Sequence, residues 1–166
     1  MTTKADFTAE EWSQVTGSVM MAGMAVTLAD PSGLFGLTKE GIASGSALVA
    51  AKSDPNANAL IKAVVADFET SAGRSAAREF IRSTVAGKSV AEMKPALLAA
   101  LNRASSILDT KASAEAPAFK AWLAQISRRV AEAAGEGGFL GFGGVRVSDA
   151  EKATLEEISK ELGLSN

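Results

Sequence analysis

The side chains that carry most protein chemistry are missing from this chain. Its 166 residues include no His, no Cys and no Tyr. Without imidazole or thiol there is no Ser–His–Asp triad, thiolate nucleophile, zinc finger or disulfide. Haem ligation through His, Cys or Tyr and the Glu-x-x-His di-iron pattern fall away for the same reason. Carboxylate, lysine, hydroxyl and backbone chemistry remain, with oxygen ligation of a hard cation such as Ca²⁺ or Mg²⁺. The acids are not spaced for that task. Asp67 and Glu69 do not share a helical face, and no Asp-x-Asp-x-Asp-Gly loop exists. Glu132 and Glu136, four apart, read as solvated surface acids. The expectation is a protein with no catalytic residue, metal or cofactor. Only a carboxylate pair assembled by folding would overturn it.

The segment Gly135–Gly144 reads GEGGFLGFGG, which a plain helix connection does not require. It lacks the Gly-Lys-Ser/Thr ending of a phosphate loop, and no strand precedes it, so the dinucleotide fingerprint fails too. Phe139, Leu140 and Phe142 either tuck back into the fold or form an apolar docking loop or lid. Gly33-Leu34-Phe35-Gly36-Leu37 echoes the same pattern. Leu34, Phe35, Phe139, Leu140 and Phe142 are therefore the candidate residues for a partner or ligand.

Arg74, Arg78 and Arg82 recur every four residues and share one helical face. They are candidates for an anion or an acidic partner, although Glu79 can pair with Arg82 and a solvated face is the plainer reading. Arg128 and Arg129 sit near a helix C-terminus, where cations complement the macrodipole.

The elements that must position these residues are helices. The chain is 47% hydrophobic and 22% charged, and apolar residues recur at helical spacing. Thr8 and Glu11 form a capping box, with Phe7 and Trp12 as a hydrophobic staple. Trp12, Val15, Val19, Ala22 and Val26 make the first core stripe. A second helix covers about Leu37 to Lys52. Gly41 and Gly45, with Ala43, Ala47 and Ala51, give it a small-residue face for close packing.

Asp54 and Pro55 read as the start of a third helix bearing Leu60, Ile61, Val64 and Phe68. Gly73 breaks or loosens the passage to a fourth, with Ala77, Phe80, Ile81 and Val85, closing near Gly87. Ser89 and Glu92 form another capping box. Pro95 predicts a short turn before it or a kink. Leu97, Leu98, Leu101 and Leu108 follow. Ser113 and Pro117 open a helix with Phe119, Trp122, Leu123, Ile126 and Val130, ending at Gly135. Ser148 and Glu151 cap a last helix with Leu155, Ile158 and Leu162, closing at Gly163.

This predicts an all-α, compact single-domain bundle of six or seven helices over residues 1–166, with 1–7 a flexible N-terminus. The stretch Trp12–Ala29 carries no charge, but its Ser, Thr, Gln and Gly content suits a buried core helix better than a membrane span. Net charge is -2, which argues against nucleic acid. With no Cys and no leader pattern at its start, the chain is expected in the cytoplasm.

The segment Gly143-Gly144-Val145-Arg146-Val147-Ser148-Asp149-Ala150-Glu151-Lys152, with Leu155, Ile158 and Leu162-Gly163, resembles the helix-start motif of tellurite-resistance TerB-like domains. Ser148 and Glu151 match that motif's cap, whereas its acidic position falls on Gly143. The resemblance implies a small all-helical bacterial domain and a stress-related role. The whole chain also resembles uncharacterised bacterial proteins with a similar Gly–Phe loop and final helix.

These features predict a non-enzymatic helical interaction domain, binding a protein partner or a second copy of itself through the Gly–Phe loop. The alternative is a bundle that binds a small apolar ligand or lipid, with that loop as a lid.

Overall fold

The computed structural model describes residues 2–29, 37–55, 57–135 and 147–164, with backbone alone at 37–44 and 134–135. Seven α-helices and no strand are found among them. They are α1 (Ala9–Thr27), α2 (Leu37–Ser53), α3 (Ala59–Glu69), α4 (Ser71–Val85), α5 (Val90–Lys111), α6 (Ala116–Gly135) and α7 (Asp149–Glu161).

Helix α1 is the axis of the bundle and touches all six others. Its cap is the predicted one. Thr8 Oγ1 accepts the Glu11 N–H at 3.2 Å, and the Glu11 carboxylate accepts the Thr8 N–H at 2.8 Å. The Phe7 and Trp12 rings meet 5.5 Å apart as the staple. All five residues of the expected stripe are buried. The buried hydroxyls are satisfied within the helix. Thr16 donates to Trp12 O at 2.9 Å, Ser18 to Val15 O at 2.6 Å and Thr27 to Gly23 O at 3.3 Å. The charge-free part of α1, from Trp12 on, can therefore be central with these hydroxyls satisfied, and Gln14 Oε1 is its one sealed oxygen without a partner among the described residues. Among the described residues, no helix is long and apolar enough to cross a membrane.

Around α1 the core closes on Leu60 and Val64 of α3, Leu97, Leu101 and Leu108 of α5, Phe119, Leu123 and Ile126 of α6, and Ile158 of α7. An ion pair joins α5 to α6, the buried Lys120 placing Nζ 2.7 Å from both oxygens of the exposed Asp109. The last helix keeps its predicted cap, Ser148 Oγ accepting the Glu151 N–H at 3.2 Å.

Several expectations are corrected. Helix α3 does not start at Asp54 and Pro55. Its cap is Asn58, whose Oδ1 accepts the Ile61 N–H at 2.8 Å. Asn58 also donates through Nδ2 to Glu115 O at 3.0 Å, so this cap serves two elements while Asp54 could serve only one. No separate turn precedes Pro95: α5 begins at Val90 and runs through it. The missing N–H forfeits one helical hydrogen bond, to Ala91 O.

Gly73 neither breaks nor loosens a helix but permits a tight corner. A Cβ there would sit 2.2 Å from Asp67 O. Thr70 both ends α3 and caps α4, accepting the Gly73 N–H at 2.9 Å. The small-residue face of α2 buries Ala47 and Ala51, but Gly45 is not a close-packing contact, since a Cβ there would meet nothing within 4 Å.

Residues 2–7 make contacts with the bundle. A 3₁₀ turn spans Lys4–Asp6, Phe7 is buried, and Thr2 donates from N and Oγ1 to the Glu115 carboxylate at 3.0 and 2.8 Å.

Candidate binding groove

The five apolar residues expected to carry function, Leu34, Phe35, Phe139, Leu140 and Phe142, lie outside the described residues, as does Glu136. The arginine stripe is inside them and is partly spent on structure. Arg74 Nη1 donates to Phe68 O at 2.8 Å and Glu69 O at 2.9 Å, covering carbonyls at the end of α3. Arg82 pairs with Glu79, as the sequence suggested. No group of three acids that could hold a metal ion occurs among the described residues.

The structure instead opens a groove of about 550 Å³ between α2, the start of α3 and α6. Each wall follows from helical periodicity. On α2, Ala47, Ala50, Ala51 and Asp54 recur at i, i+3, i+4 and i+7, which is one helical face. On α6, Ala118, Ala121, Trp122, Gln125, Arg128 and Arg129 continue the same spacing. Ala57, Asn58 and Ile61 close the floor. Alanine on both sides leaves room between the helices. The slot is about 15 Å long from Ala118 to Arg128, at 1.5 Å per residue.

The groove has two unlike ends. Asn58, just beyond α2, bonds to Glu115 just before α6, and the bodies of the two helices also pack together. The helices must then run antiparallel. Asp54 lies towards the start of α6, while Arg128 and Arg129 lie at the opposite end, near the α6 C-terminus. Neither arginine makes an ion pair or hydrogen bond to a described residue, and Asp54 already has an interaction of its own.

Trp122 is the polar anchor of the floor. It is 7% exposed and packs edge-on to Phe119, with centroids 5.4 Å apart. Its indole N–H has no hydrogen-bond acceptor among the described residues, and the atom is not sealed from solvent. The Trp122 side chain lines the groove. The one sealed side-chain oxygen without a partner among the described residues, Gln14 Oε1, belongs to α1 and does not line the groove.

Reading the sequence for function missed this site. Trp122 served there only as a core residue, and Arg128 and Arg129 only as complements to a helix dipole. The available signal was a second stripe on α6, from Ala118 to Arg129, offset from the apolar one. The alanine stripe of α2 was visible, but what faced it was not. Compared with protein-family models, curated proteins and solved structures, the chain matches none.

Proposed function

We propose that this chain is a non-enzymatic ligand-binding domain whose site is the groove between α2, α3 and α6. The observation that carries this reading is the indole N–H of Trp122, a donor without a partner among the described residues on a side chain that is 7% exposed and lines the groove. A donor that reaches solvent is free to take a ligand acceptor in place of water. The size supports a small molecule: binding clefts commonly run from about 300 to 1,000 Å³, mostly apolar with a few placed polar groups. Trp122, Ile61 and the alanines supply the apolar part, while Asn58, Gln125 and the arginines supply the polar one.

The two tryptophans give the test. In a ¹H–¹⁵N spectrum each contributes one indole N–H resonance. A small-molecule mixture rich in amphipathic compounds should shift the Trp122 resonance and leave that of Trp12 in place. Substituting Ala121→Leu, at an exposed alanine of the groove wall, should abolish the response. A response confined to Trp12, or one unaffected by Ala121→Leu, would sink the reading.

A further inference from the structure

The ends of the groove specify the kind of ligand, and this step rests on the groove being a binding site at all. We infer that the occupant is an amphipathic oxyanion: a slender apolar body with a carboxylate or phosphate-type group at one end, lying along the slot with its charge at Arg128 and Arg129.

Three independent observations converge on that class. The first is charge. Two guanidinium groups without partners among the described residues stand at one end, and the one acid among the described lining residues, Asp54, stands at the other with an interaction of its own. An anion is thus drawn to one end and repelled from the other, which fixes its direction. Guanidinium suits this task, because its planar fork matches oxyanions and holds its charge at any working pH.

The second is shape. Between the charged ends the lining is mostly alanine with Ile61 and Trp122, so an apolar body can lie along the slot's length of about 15 Å. The third is the donor. Trp122 lines the slot between its two ends, and its N–H can serve an acceptor atom in the body of such a molecule. It cannot serve a cation. The α6 C-terminus works against the anion, since its carbonyls carry partial negative charge. Two full positive charges outweigh that half charge.

Calorimetric titration of the whole chain with sodium octanoate, 1-octanol and octylammonium separates the possibilities. Octanoate should bind at least 10-fold more tightly than octanol, and octylammonium more weakly than either. The double variant Arg128→Gln/Arg129→Gln should reduce octanoate affinity to the level of octanol and leave octanol unchanged. Ala121→Leu should weaken all three. Equal binding of octanoate and octanol, or octanoate binding insensitive to the arginine variant, overturns the oxyanion assignment while the groove stands. If Ala121→Leu and Ala50→Leu both leave every probe unaffected, the groove itself is not the site.

Discussion

Both tryptophans of the chain are more than nine-tenths buried, and they end in opposite situations. Trp12 lies in a closed knot. Its Nε1 donates to Asp67 Oδ2 at 2.9 Å, and Lys4 Nζ takes Asp67 Oδ1 at 2.7 Å while standing 5.7 Å above the Trp12 ring. The same Asp67 uses its carbonyl to accept from Thr70 at the α3–α4 corner. Every group there answers another. Trp122 lies among groups that do not: its N–H, Arg128 and Arg129 all lack partners among the described residues. A fold that satisfies one indole so fully has the means to satisfy the other. The open side is therefore the place to look for a ligand, and the knot for stability.

The strongest way to break this contrast is at the corner behind the knot. Gly73→Ala would drive a methyl group onto Asp67 O, 2.2 Å away, with the two nearest atoms both backbone and therefore unable to swing aside. We expect a loss of about 3 kcal/mol, the upper part of the usual overpacking range. Urea unfolding followed by far-UV circular dichroism measures it. Full stability in this variant would show that the corner is not tightly held.

The paired substitutions Trp12→Phe and Trp122→Phe sharpen the comparison directly. Both remove the same ring volume from a buried site. Only the first also removes a hydrogen bond to a charged acceptor, worth about 1.5–3 kcal/mol. Trp12→Phe should thus be the less stable variant by about 2 kcal/mol in denaturant titrations. Asp67→Ala should resemble it, because it strands the same indole N–H. Equal losses at the two tryptophans would remove the distinction between knot and groove.

How far the sequence revealed the two regions differs for physical reasons. Helix caps are local, so Thr8–Glu11, Ser89–Glu92 and Ser148–Glu151 could be read from four residues each, and the apolar stripes followed from period alone. Trp12 was legible as a staple residue. Its acceptor Asp67 was not, because 55 positions separate them and no local pattern links them. The groove was harder still. It needs Ala47 and Ala51 opposite Ala118 and Ala121, and Asn58 across from Glu115, all of which depend on how helices stack. Asn58 shows the cost of reading locally: Asp54-Pro55 was the better isolated cap signal, and a contact to another helix decided the matter.

On the groove side, α2 should tolerate improvement where the knot does not. A Cβ at Gly45 meets nothing within 4 Å. Gly45→Ala should therefore stabilise the chain by about 1 kcal/mol through helix propensity alone. A rise in melting temperature with unchanged ligand response would confirm that α2 is a wall of the site and not a tightly packed element. A loss of stability would mean that α2 sits closer to its neighbours than the groove allows.

The smallest effect concerns pH, and it too divides the two regions. Backbone and hydroxyl hydrogen bonds from Thr3 hold the Asp6 carboxyl below its ordinary value of 3.8. The Thr8 N–H does the same to Glu11, Ser89 to Glu92 and the Thr2 N–H to Glu115, each relative to an ordinary 4.5. A carboxyl whose pKa is lowered by folding favours the folded state when ionised. Its contribution is complete above about pH 4.5 and is lost as pH falls through the lowered folded value. With no His in the chain, stability should be nearly flat from about pH 5.5 to 7 and decline below about 4.5. Asp6 and Glu11 belong to the segment that carries Lys4 and Trp12, whereas none of the four carboxyls lines the groove. Acid should thus move the Trp12 indole resonance before that of Trp122, and a Trp122 resonance that moved first would place the weaker attachment on the groove side.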